Sequence, residues 1–152
     1  MRSLVIPLDG MALVVPNALI SEVATLGEMT PATGTEEWLI GSIQWRGLRV
    51  PLVSYERVLG NARALPGRNS RAIVFNTLNG NRELPFVAVL SQRIPRLLLV
   101  TARMLQRVDE DKPHDAVLAR LELQGDEVLV PDVDRLEQML IRQGARVERV
   151  IG

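Results

Sequence analysis

The side chains with the types to do chemistry are few and stand apart. His114 is the single histidine and sits in Pro113-His114-Asp115. An imidazole beside a carboxylate is part of the relay that activates a nucleophile. The spacing supplies no nucleophile within reach, Cys is absent, and one imidazole is too few ligands for zinc, so a solvated turn residue is the plainer reading. The run Asp109-Glu110-Asp111 offers carboxylates to a hard cation but lacks the spaced Asp/Asn/Gly/Glu ligands of a calcium loop. A solvated charge run explains it better. Glu36-Glu37 is a pair of the kind used for acid–base work, here in a polar stretch with no partner in sight. Gly47 and Gly60 are too far apart for a phosphate-cradling loop. No catalytic residue, metal site or cofactor follows from the sequence.

Nucleic acid is an equally poor fit. Lys+Arg and Asp+Glu number 18 each, whereas phosphate neutralisation calls for a basic excess. Two Trp, one Tyr and two Phe are too few for a base-stacking platform. What remains suits contact between proteins. Trp45 is followed by Arg46, with Arg49 nearby, and Trp and Arg are enriched at interface hot spots. The alternative is that Trp45 fills the end of a small core and the arginines are solvated.

These groups must be positioned by strands. Of the 152 residues, 47% are hydrophobic, and the abundance of Val and Ile favours β structure. Asp9-Gly10 between Leu4–Leu8 and Met11–Val15 predicts a tight hairpin. Asn17 is placed to cap a short helical turn through Ser21. Val23–Leu26 reads as a strand and Gly27 to Glu37 as a surface loop. Ile43–Trp45 and Leu48–Ser54 form the next pair, with a helical turn at Tyr55–Leu59. Leu52, and Val74 farther on, are expected in the core. Gly60 to Asn69 reads as a connector. Beyond it lie a hairpin of Arg71–Leu78 and Leu84–Leu90, a strand Ile94–Val100, a turn near Ala102–Leu105 and a loop from Val108 to Pro113. A last hairpin pairs Ala116–Leu123 with Glu127–Val130 about Gly125-Asp126. A helix then starts at Pro131-Asp132, carries Leu136, Met139 and Leu140 on one face, and stops at Gly144. The tail through Gly152 either frays or adds an edge strand. The pattern predicts a mainly β chain of two barrel-like units, split near residue 66 into subdomains of about 4–66 and 67–143. With no signal-like start and no apolar run of ~18 residues, a cytoplasmic location without direct membrane insertion is expected.

Two segments carry a resemblance: Ala18-Leu19-Ile20-Ser21-Glu22-Val23, and Trp38-Leu39-Ile40-Gly41-Ser42-Ile43-Gln44-Trp45-Arg46-Gly47-Leu48-Arg49-Val50-Pro51-Leu52-Val53. They resemble the CheW family of chemosensory adaptors, whose members read I-L-x-V-x-E-I and then F-I-x-G-x-x-N-L-R-G-x-x-x-P-V-x-D-L-R. The likeness runs from about Leu4 to Ile141. It implies two small five-stranded SH3-like barrels around a continuous core, a C-terminal helix and no catalysis. It also implies a scaffold that couples methyl-accepting chemoreceptors, through their cytoplasmic tips, to the regulatory domain of a CheA-type histidine kinase, with recruitment to membrane receptor arrays. By position, Ile20, Glu22, Gly41 and Arg46 match family residues implicated in partner contact, with Gly47 as the turn that follows. Trp45 joins them from the hot-spot argument.

The departures are as informative. Gln44-Trp45 replaces the usual Asn-Leu. Ser54-Tyr55-Glu56 stands near the usual Asp-Leu-Arg, which predicts a changed charge pattern at a partner surface. Leu90-Ser91 lacks the aspartate common at the end of that strand. They suggest a divergent adaptor, similar to those of the pilus-type (Chp) clusters that control twitching motility. Two alternatives stay open: a chain that binds one partner only, as competitor or buffer, and a β-barrel module for a ligand, for which the sequence shows neither an apolar cavity nor a basic groove.

Overall fold

In a computed structural model, which describes residues 1–61, 65–109 and 114–150, the apolar runs around Asp9-Gly10 form the expected hairpin of β1 (Arg2–Pro7) and β2 (Ala12–Pro16). Asn17 does not act as a cap. It opens a short 3-10 turn, Asn17–Leu19, without a side-chain cap bond, and Ser21 already belongs to β3 (Ile20–Thr25). Pro16 fixes the entry to that turn, so no Asn side chain is required there. The segment expected as loop after Gly27 holds a short strand, β4 (Met29–Pro31), paired to β5 (Leu39–Trp45). It is tied further by the Glu36 N–H donating to Gln143 Oε1 at 3.0 Å. β6 (Leu48–Val53), the helical turn α1 (Tyr55–Val58), β7 (Arg71–Asn76) and β8 (Phe86–Ser91) follow much as the apolar pattern predicts. The chain continues through β9 (Arg96–Leu99), β10 (Leu105–Asp109), β11 (Val117–Leu123) and β12 (Asp126–Pro131). The β11–β12 turn centres on Gln124 and Gly125, one residue earlier than expected, with Asp126 already in β12. Val108 and Asp109 lie in β10 rather than a loop, and Glu110 and Asp111 of the acidic run fall outside the described residues. The helix α2 (Val133–Arg142) starts as expected, with Asp132 Oδ1 accepting the Arg135 N–H at 3.0 Å. The tail adds a strand, β13 (Glu148–Arg149), against β6.

The strands form two curled sheets, ordered β10-β11-β12-β2-β1-β9 and β3-β7-β8-β6-β5-β4, with β13 pairing β6. The sheets therefore hold six and seven strands, where five each were expected. They also do not divide the chain near residue 66. The N-terminal hairpin joins the late strands through a parallel contact, Val128↔Ala12 and Leu129↔Leu13, while everything from β3 to β8 stays in the other sheet. A parallel pairing between distant segments leaves no local turn signal, and this is why the sequence did not reveal it.

Many of these strands bury both faces. Leu4, Ile6, Leu13 and Val15 point into a core shared by the two sheets, whereas Val5 and Val14 fill the first sheet's own interior. In the second sheet, Ile73, Phe75, Val87 and Val89 enter the shared core, and Ala72, Val74, Ala88 and Leu90 line the sheet's own interior with Leu52. Such strands read as continuous apolar runs because neither face meets water. Leu136 and Leu140 of α2 seal the shared core.

The turn α1 fastens the two sheets with polar groups. Ser54 caps it, its Oγ accepting the Arg57 N–H at 3.3 Å. The Tyr55 hydroxyl donates to the Ala116 carbonyl. Glu56 Oε2 accepts the Asp9 N–H at 3.0 Å and the Gln92 side-chain N–H at 2.8 Å. Tyr55 and Glu56 are 0% and 1% exposed, so the altered charge pattern expected at a partner surface is an interior feature. One helical turn facing the core turns both side chains inward, where they satisfy backbone of the opposite sheet.

Two outcomes follow. Leu52→Asp or Val74→Asp places an unpaired charge at a site with 0% exposure, costing several kcal/mol. Loss of the cooperative thermal transition is expected, and a native melting curve contradicts the assigned core. Burial pushes the Tyr55 phenol well above its ordinary value, with the Asp132 carboxylate adding to the shift. Above pH ~10, where an unfolded phenol ionises, the folded state binds more protons than the unfolded one, so stability is complete below that pH and lost above it. Phenolate absorbance from this single tyrosine should rise only together with alkaline unfolding. Tyr55→Phe should remove that contribution and cost about 1 kcal/mol at neutral pH. A phenolate signal near pH ~10 in the still-folded protein contradicts the burial.

Candidate functional site

Ile43 and Trp45 alternate inward on β5 while Gln44 faces water, and β6 returns with Trp45 opposite Leu48. The two residues between have φ of 50° at Arg46 and 75° at Gly47. Positive φ at both central positions is the mirror-image turn that matches strand twist. Glycine accepts it freely, whereas an L residue with a Cβ does so at about 1–2 kcal/mol. Asn or Asp would be the easier choice at the first position. The arginine is therefore kept at a local cost, as strained residues at contact sites often are.

Two contacts hold it, and a third supports its platform. Arg46 Nη2 donates to Glu22 Oε1 at 2.7 Å. Its Cζ lies 4.8 Å from the centre of the Trp45 ring. That ring meets Phe86 nearly edge-on, with centres 4.9 Å apart. An exposed ion pair contributes ~0.2–1 kcal/mol and an exposed cation–π contact ~0.5–1 kcal/mol. Together they offset the cost of the turn and fix the guanidinium in direction. Glu22 comes from β3, which the sheet order separates from β5 by three strands. The curl of the sheet brings the two together. A register shift in the β3–β7 pairing between Ile20 and Glu22 re-aims the strand, so Ile20 packs against the shared core while Glu22 turns to Arg46.

The structure thus assembles Glu22, Trp45, Arg46 and Gly47, and leaves two expected residues apart. Ile20 is half-buried on the core side. Gly41 lies under β4, where a Cβ would stand 2.3 Å from the Thr30 carbonyl oxygen, so its part is to let two strands approach. Trp45 is only 7% exposed. It serves as the platform under Arg46, the core-filling side of the two readings its sequence position allowed. The arginine presents 65% of its side chain to water. Sequence reasoning missed Phe86 beneath the platform and the arrival of the tail at this turn. Only the apolar Val147 and Val150 within a charged stretch hinted at the latter.

The other chemical candidates dissolve into local structure. His114 Nδ1 accepts the Ala116 N–H at 3.0 Å within its own turn, and Asp115 pairs with Arg135 Nε at 2.8 Å. No cluster of three or more His, Cys, Asp or Glu side chains occurs among the described residues. A concavity of about 740 Å³ opens on the first sheet, which the sequence did not show. Arg93 and Arg96 line it together with Asp126 and Glu127, so it favours neither sign of charge.

Residues 2–139 match the family described as the CheW-like domain. The fold is similar to that of the scaffolding protein TtCheW from Thermoanaerobacter tengcongensis, with a TM-score of 0.70 at 14% sequence identity, covering 86% of this chain and 82% of that one. No curated protein matches the sequence.

Gly41→Ala should destabilise the protein by about 1–3 kcal/mol, because β4 must shift to admit the methyl group. Chemical denaturation measures it, and an unchanged midpoint contradicts the close approach.

Proposed function

The chain belongs to the CheW-like domain family, and from that premise we propose that it is a non-catalytic adaptor coupling chemoreceptors to a CheA-type histidine kinase. The observation that carries this reading is the Arg46 turn. A cation is held rigidly in water, at local conformational cost, on a motif position of the family, while the chemical candidates elsewhere are occupied by local contacts. A rigid, oriented guanidinium loses little freedom on binding, which is what makes arginine an effective hot spot.

The proposed partners are the regulatory domain of the kinase and the cytoplasmic tip of a methyl-accepting receptor. The location is cytoplasmic, at receptor arrays. Among the described residues no helix is long and apolar enough to cross a membrane. Signal passes because receptor and kinase contact one body, so that a change in receptor packing alters the kinase through differential contact energies. Gln44, exposed where the family usually carries Asn, supports a partner outside the commonest set, as in the pilus-type clusters of twitching motility. The reading in which only one partner is bound loses its motive, since Tyr55 and Glu56 lie inside the protein.

Binding of the purified protein to the kinase regulatory domain and to the receptor tip tests the proposal. Arg46→Glu should stay folded with a modestly lower melting temperature, from the lost ion pair and cation–π contact, and weaken binding by roughly tenfold or more, as for a hot-spot arginine. Arg46→Asn, which suits the turn but lacks the cation, should also weaken it without loss of stability. Normal binding by folded Arg46→Glu contradicts the proposal.

A further inference from the structure

The tail reaches the contact site. Beyond the residues 2–139 that match the family, the chain leaves α2 and anchors itself through Val147, whose N–H donates to the Glu83 carbonyl at 2.7 Å and whose side chain packs against both the shared core and the second sheet's interior. β13 then pairs with β6 in register, Glu148 opposite Arg49 and Arg149 opposite Leu48, which sets unlike charges across the strands. Finally the Val150 N–H donates to the Gly47 carbonyl at 2.9 Å. Val150 becomes one wall of a concavity of about 420 Å³, whose other lining residues are Gln44, Trp45, Arg46 and Gly47.

That concavity is rich in donors. The guanidinium of Arg46 has five N–H donors, and its bond to Glu22 engages one nitrogen, Nη2. Gln44 is exposed and carries an amide. The remaining lining residue is the apolar Val150. We propose that β13 and Val150 form the second wall of the partner site, and that the cleft takes a carboxylate of the partner, an Asp or Glu with an apolar neighbour that rests on Val150. The inference builds on the reading of the Arg46 turn as a partner contact and adds to it the chemistry recognised and a wall supplied from outside the family-matched segment.

Val150→Glu and Val150→Gln test it, with the kinase regulatory domain and the receptor tip as probes. Glu places a carboxylate in the chain's own wall, where it competes for the same donors. Gln has nearly the same shape and no charge. Binding of one probe should fall roughly tenfold or more with Val150→Glu and by less than about threefold with Val150→Gln. Equal losses in both variants overturn the carboxylate. Unchanged binding in both, with Arg46→Glu still impaired, overturns the tail wall and leaves the adaptor reading standing. Failure of the wild-type protein to bind either probe overturns both. A second readout needs no tail variant: wild-type binding should weaken with added salt more steeply than that of Arg46→Asn, and identical salt dependence overturns the charged contact.

Discussion

The whole structure depends on strands that are buried on both faces. Each sheet curls around its own apolar filling, and the same strands turn their other face to a core shared by the pair. Neither sheet can shed its partner without exposing Ile6, Leu13, Phe75 and Val89 to water, at ~25 cal/mol per Å² of apolar surface. This constraint makes one rigid body of two small sheets. Tyr55 and Glu56 enter between the sheets with hydrogen bonds to backbone of the opposite sheet.

Rigidity is what the proposed contact site at Arg46 would use. Phe86, Trp45, Arg46 and Glu22 form a continuous stack from the interior of the second sheet to solvent. Each member limits the freedom of the next, so the outermost charge has its direction set by the packed core rather than by a flexible loop. In the proposed adaptor role, geometry is what connects two partners. The backbone at Arg46, held at a positive φ that arginine seldom adopts, is a local conflict that the surrounding contacts overcome.

Much of the fold was legible in the sequence. Apolar runs and Gly-containing turns located the hairpins, and the Asp132 cap with Leu136 and Leu140 marked the helix. What lay hidden was pairing over distance. Nothing near Ala12 announces Val128, and a break near residue 66 was therefore inferred where the sheets show none. The site was half legible. Motif spacing selected Glu22 and Arg46 but could not show that they touch, because the curl of the sheet joins them. Tyr55 and Glu56 misled because polarity suggests exposure, whereas one turn of helix directs both side chains inward. The tail left only two valines among charges as a sign that it would dock.

In the proposed role, partners meet the protein at the turn where Arg46 is held. Its most direct test is a map of backbone and indole amide shifts in the isotope-labelled protein as the receptor tip, and separately the kinase regulatory domain, is added. At least one of them should perturb Glu22, the Trp45 indole, Arg46, Gly47 and Val150 as one contiguous patch. Perturbations confined to other surfaces, such as β9 and β10 of the first sheet, with the Arg46 turn silent for both partners, contradict it.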